Sequence, residues 1–231
     1  MLFDPLYLIM VAPAFLLALY AQAKVRSAYA RFSRVTTRQG LTGGEAARRI
    51  LDREGLSDVP VQQTQGWLSD HYDPRTRTLK LSPEVYAGRS VAAVGVAAHE
   101  AGHALQHASG YAAMQVRSFM VPAASIGSWM AWPMIVGGLF LHSMGLIQIG
   151  IILFAAMVVF QVVTLPVEFN ASSRAKALLT TAGIVVTEQE AEGVRRMLSA
   201  AAMTYVAATV TAVMTLLYFL VRFGFLGRSR R

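Results

Sequence analysis

Three stretches of this 231-residue chain contain no charged side chain: Pro5 to Ala23 over 19 residues, Ser118 to Val167 over 50, and Met197 to Val221 over 25. A helix needs about 20 mostly apolar residues to cross the hydrocarbon core of a bilayer, where its backbone polar groups must be satisfied internally. The lengths predict one, two and one transmembrane helices, four in all. The longest run must turn back once, and His142-Ser143-Met144-Gly145 is its most polar and turn-like point. The first span lacks a basic lead and a clear small-x-small cleavage site. It therefore reads as a retained anchor and not as a removed signal.

Composition narrows the class further. Hydrophobic residues make up 55% and charged residues 15%, an apolar balance for a soluble domain. The absence of Cys excludes a disulfide framework and a thiolate zinc site. The net charge of +8 reads as charge flanking the spans. No basic patch interleaved with aromatics is present, so nucleic acid is not an expected partner.

Between the first two uncharged runs lies material for a small α+β domain. Lys24, Arg26, Arg31, Arg34 and Arg38, with Val25, Tyr29, Phe32 and Val35 among them, suit an amphipathic helix at the membrane surface, or a plain basic flank to the first span. Thr42 and Glu45 form a capping-box pattern for a helix over Gly43 to Glu54, with Gly55 as its stop. Val59 to Gln63, Trp67 to Ser69 and Thr76 to Leu81 are strand candidates, and Asp70 to Pro74 has turn chemistry. Later, Ala171 to Leu179 looks helical, and Thr187-Glu188-Gln189-Glu190 repeats the capping-box pattern ahead of the last span.

The chemistry concentrates in Val91 to His107, where His99-Glu100-Ala101-Gly102-His103 has the pattern H-E-x-x-H. On a helix, positions four apart share a face at about 5–6 Å, so both imidazoles can meet one zinc ion. Glu100 sits beside the first of them, placed to act as general base on water at the metal. Ser90 is the expected N-cap and Gly110 the C′ residue. A solvated helix face would not be embedded in Ala, Val and Leu as this one is.

A catalytic zinc takes three protein ligands and keeps one position open. His107 is eight residues beyond His99, a rise of about 12 Å along a straight helix, too far to share the ion. Glu168 is the better candidate, a carboxylate standing alone after 50 uncharged residues. A two-span hairpin returns the chain to the membrane side it left, which brings Glu168 back toward the histidines. The competing reading is an interfacial glutamate paired with Arg174.

The blocks Ser69-Asp70-His71-Tyr72-Asp73-Pro74-Arg75-Thr76-Arg77-Thr78, Ala97-Ala98-His99-Glu100, Leu165-Pro166-Val167-Glu168-Phe169-Asn170-Ala171-Ser172 and Ala200-Ala201-Ala202-Met203-Thr204-Tyr205-Val206 resemble the YugP-type membrane zinc metallopeptidases of bacteria. The layout is also similar to HtpX-type proteases, with H-E-x-x-H before a two-span hairpin and a Glu after it. The resemblance implies that His99, His103 and Glu168 bind one Zn2+ and that Glu100 is catalytic. Such sites usually carry an Asp four residues after the ligand Glu, where this chain has Ser172. Asn170 and Ser172, with Arg174 nearby, are the candidates for supporting the ligands.

The expected fold class is an α-helical membrane protein with four transmembrane helices and a small α+β zincin-like domain. The expected segments are an anchor over 1–23, the zincin-like domain over 24–117 and a two-span hairpin over 118–167. A third-ligand segment over 168–196 completes the catalytic domain, and the last helix and basic tail occupy 197–231. The expected function is a membrane-anchored zinc endopeptidase acting on proteins or peptides, in the bilayer of a bacterial inner membrane. The strand from Thr76 to Leu81, with Thr76 and Thr78, is expected to offer an edge to an extended substrate, and His71 or Tyr72 to stabilise the oxyanion. Ten basic residues flank spans on the side of the zinc site, against Arg222, Arg228, Arg230 and Arg231 at the C-terminus. The positive-inside rule then places the site in the cytoplasm. The alternatives are an intramembrane protease of the site-2 type and a non-catalytic zinc-binding scaffold. An oligomer or an accessory membrane partner is left open.

Overall fold

The computed structural model describes residues 4–66 and 69–225. Trp67 and Leu68, from one expected strand, and Arg228, Arg230 and Arg231 of the basic tail lie outside the described residues. The described chain is mostly helical with one small sheet. In order it forms α1 (Pro5–Phe32), α2 (Gly43–Arg53), β1 (Val61–Gln63), β2 (His71–Asp73), β3 (Thr78–Leu81), α3 (Pro83–Tyr86), α4 (Val91–Ala108), α5 (Ala112–Phe140), α6 (Met144–Thr181) and α7 (Glu188–Arg222). Four of these, α1, α5, α6 and α7, are long and apolar enough to cross a membrane.

The chain divides into two compact units. One comprises Met1–Ala21, Gln115–Pro166 and Thr204–Arg231; the other comprises Gln22–Met114 and Val167–Met203. The first unit is an all-helical bundle whose interior holds Val11, Ala131, Ile135, Ile147, Ile151, Phe154, Tyr218 and Phe219. Small residues let α5 and α6 approach closely: a Cβ on Gly150 would lie 2.9 Å from the Ala131 carbonyl oxygen. Phe119, Trp129 and Phe140 stand outward and largely exposed, as residues facing lipid would. Two polar pairs link its segments. Asp4 accepts from the Tyr218 hydroxyl at 2.9 Å, and Thr211 donates to the Ala14 carbonyl at 3.2 Å. The α5–α6 turn falls at Leu141 to Ser143, with His142 at a positive φ of 52°.

The second unit is built around α4. Ser90 caps it by accepting from the Ala93 amide, and Gly110 follows its end at φ +64°. Fourteen of its 18 residues are buried, because other elements surround it. Ile50 and Leu51 of α2, Leu79 and Leu81 of β3, Val167 and Leu179 of α6, and Val194 and Met197 of α7 share its core. The capping box of Thr42 and Glu45 forms as the pattern predicts, with bonds of 2.8 and 3.1 Å. The second also forms: Glu190 accepts from the Thr187 amide at 2.9 Å, and Thr187 Oγ1 from the Glu190 amide at 3.2 Å. The other Glu190 oxygen accepts from the Arg38 amide at 2.6 Å, fastening the loop after α1 to the start of α7.

Three expectations change. The helix of the first span continues unbroken to Phe32, so Lys24, Arg26 and Arg31 extend it and form no separate amphipathic helix. The turn expected at Asp70 to Pro74 starts later, leaving His71–Asp73 as a strand. Asp73 organises that turn by accepting from the Arg75 amide and the Thr76 hydroxyl, both at 2.9 Å, and Arg77 takes a left-handed φ of 51°. The sheet order is β1-β3-β2, with β1 parallel and β2 antiparallel to β3. Both sides of β3 are therefore occupied, so Thr78 offers no substrate edge, and Thr76 belongs to the turn. Alternation of side chains had identified the strand, but it carries no information about neighbour order.

Candidate metal centre

The α4 backbone sets His99 and His103 one turn apart on a common face, their ring centroids 4.8 Å apart and nearly perpendicular. A close helix crossing brings α6 to them. A Cβ on Gly102 would stand 2.8 Å from the Ala171 carbonyl oxygen, so only glycine leaves room for α6 at that depth. Glu168, one turn before Ala171, then reaches both rings. Its Oε2 lies 3.2 Å from His99 Nε2 and 3.7 Å from His103 Nε2. One ligand atom from each of the three residues falls within 4.8 Å of the others. Glu168 is 2% exposed and His103 7% exposed, so water competes little for either.

The second nitrogen of each ring is also engaged. Ser172 Oγ lies 3.2 Å from His99 Nδ1, and Gln106 Oε1 lies 2.9 Å from His103 Nδ1. Ser172 thus stands where the related layout would have an Asp. Asn170 Oδ1 accepts from Gln106 Nε2 at 3.0 Å and from Arg174 Nε at 2.9 Å, and Arg174 Nη2 donates to Ser109 Oγ at 3.4 Å. Asn170 and Arg174 therefore support the surroundings of His103 and not His99. The donor set, two imidazoles with both Nδ1 atoms held and one carboxylate, fits zinc chemistry. Burial alone would lower the His103 imidazole, but the hydrogen bond to Glu168 and the charges of Glu100 and Glu168 leave it above its usual 6.5.

Glu100 is 9% exposed, and its Oε2 accepts from the Tyr72 amide at 3.0 Å. In the register of β2 against β3, Tyr72 stands opposite Leu79, and the Leu79 amide donates to the Pro60 carbonyl on the β1 side. The Tyr72 amide is thus the outward-facing donor of the β2 edge, aimed at the carboxylate. Asp70 fixes this strand by accepting from the Ser82 amide at 2.8 Å and the Ser82 hydroxyl at 3.0 Å. Burial pushes the Asp70 carboxyl up, partly offset by those bonds. The Tyr72 hydroxyl lies 2.8 Å from His107 Nδ1, which gives His107 a role at the helix end. His71 is exposed, with Nδ1 2.8 Å from the Ser69 carbonyl oxygen. The contacts of both side chains lead away from the three-residue cluster. Sequence reasoning gave Gln106 no role at the site; its signal was an amide one turn after His103, on a helix otherwise built from Ala, Val, Leu, Gly, the motif residues and His107.

Four helices long and apolar enough to cross a membrane thus accompany a mostly buried His-His-Glu cluster that could hold a metal ion. The chain belongs to the family described as "Putative neutral zinc metallopeptidase", whose model matches residues 7–224. It is 48% identical over 218 residues to the "Putative membrane protease YugP" of Bacillus subtilis (strain 168), an alignment covering 94% of this chain and 96% of that protein. No solved structure matches it.

Proposed function

We propose that this protein is a membrane-anchored zinc endopeptidase in which His99, His103 and Glu168 hold the ion and Glu100 is the general base. The observation that carries this reading is the convergence of the three ligand atoms within 4.8 Å, on the face of α4 next to a buried carboxylate. Zinc at this position would polarise the scissile carbonyl and bring the pKa of water there toward neutrality. Glu100 takes a proton from the attacking water as its oxygen bonds to the carbonyl carbon. The C–N bond then breaks, and Glu100 returns the proton to the departing amine. The Tyr72 amide orients the carboxylate until substrate arrives. An extended substrate pairs with the outer edge of β2 at Tyr72, and not with β3.

The proposed organisation is a zincin-like catalytic domain drawn from 24–117 and 168–196. Its membrane parts are the anchor over 1–23, the hairpin over 118–167 and the last helix and tail over 197–231. Ten flanking basic residues against four at the C-terminus support a catalytic domain on the cytoplasmic side of a bacterial inner membrane. Glu100→Gln tests the reaction. The near-isosteric amide leaves the ligand set alone, so zinc content stays at the wild-type level while peptide cleavage falls by about 10²–10⁴-fold. Wild-type turnover by a metal-replete Glu100→Gln sample removes Glu100 from its role.

A further inference from the structure

We propose that the Gln106 side-chain amide is the positioning group of the metal centre, deciding which nitrogen of His103 carries the proton and locking α4 to the stretch of α6 that bears Glu168. This rests on the zinc reading above and names a residue that reading does not need. Gln106 is 0% exposed, one turn after His103 on the same face of α4. A buried primary amide is costly unless its groups are paired, and this one is paired. Its Nε2 donates to the Val167 carbonyl at 2.8 Å and to Asn170 Oδ1 at 3.0 Å.

The direction of this amide is forced. A backbone carbonyl only accepts, so the NH2 group must face Val167 and the carbonyl oxygen must face the other way. There it meets His103 Nδ1 at 2.9 Å. Amide oxygen only accepts, so Nδ1 must carry a hydrogen, and the hydrogen that Nε2 directs at Glu168 in the metal-free pair is the one that leaves when Nε2 turns its lone pair to the metal position. The Ser172 hydroxyl at His99 can donate or accept and imposes no such choice. Val167 immediately precedes Glu168, so one side chain sets the His103 tautomer and holds the backbone beside the third ligand. Arg174 closes the ring, donating to Asn170 Oδ1 and returning to Ser109 at the end of α4.

The test uses the full-length protein in detergent. Zinc affinity is measured by competition with a chelator of known strength for wild type, Gln106→Met and Asn170→Ala. Gln106→Met should bind zinc about 10–100-fold more weakly while remaining helical and monodisperse. Asn170→Ala should change affinity by less than Gln106→Met, because Val167 still orients the amide. A second readout needs neither metal nor variant. With ¹⁵N-labelled histidine in zinc-free wild type at alkaline pH, where the ring is neutral, His103 should be the Nδ1–H tautomer. Gln106→Met affinity within twofold of a zinc-binding wild type overturns the proposal and leaves the zinc reading standing. A wild type that takes up no zinc overturns the zinc reading, and the tautomer spectrum then decides the proposal alone. An Nε2–H tautomer overturns it in every case.

Discussion

At the level of single residues, the proposed chemistry of this chain is an exchange between protons and metal. His103 and Glu168 pair in the buried centre, and the pairing leaves the His103 imidazole above its usual 6.5. In the metal-free protein a raised histidine stabilises the fold fully below about 6.5, and that contribution is lost as pH rises through the raised value. Zinc binding has the opposite sign, because the ligand must be deprotonated. Thermal unfolding should therefore show zinc-free protein gaining stability on mild acidification, while the stabilisation conferred by zinc shrinks over the same range. Parallel pH dependence of the two forms would contradict the assignment of His103 as a ligand. The H-E-x-x-H pattern was legible because His99, Glu100 and His103 lie within five consecutive residues, where helix geometry alone fixes their relation. Ser172 was legible as a candidate because it stands four residues after Glu168, but the role of Gln106 was not, because it depends on which helix lies opposite.

Among the elements, the crossing of α4 and α6 determines whether Glu168 reaches the two histidines. Two glycines of α4 separate the possible costs. A Cβ at Gly102 meets the Ala171 backbone at 2.8 Å, whereas one at Gly95 meets the flexible end of Met197 at 2.7 Å. Gly102→Ala should destabilise the protein by about 1–3 kcal/mol and reduce zinc occupancy, since α6 must shift to admit the methyl group. Gly95→Ala should be milder and leave zinc content intact. Equal effects in calorimetry and metal analysis would show that the crossing does not govern the site. Helix limits and caps could be read from Thr42, Ser90 and Thr187 because capping chemistry is local. The sheet could not be read in the same way. Three short strands leave neighbour order to packing against α4, and so β3 became the central strand and β2 an edge.

For the whole molecule, charge-free length pointed to four helices that could span a membrane, and four helices long and apolar enough to do so are present among the described residues. The proposed orientation has a direct check, since the chain has no native cysteine. A cysteine replacing the exposed Arg49 of α2 should resist a membrane-impermeant thiol reagent in intact cells. One replacing the exposed Leu141 at the α5–α6 turn should label. The reverse pattern would invert the orientation.

The central claim is that two helices far apart in sequence build one zinc site, and its most direct test is metal content. Wild type, Glu168→Ala and His107→Ala are purified in detergent, and zinc per chain is measured after removal of loosely bound metal. The account predicts one zinc in wild type, a large loss in Glu168→Ala and near-wild-type content in His107→Ala, whose ring lies against the Tyr72 hydroxyl. Unchanged zinc in Glu168→Ala together with loss in His107→Ala would contradict it.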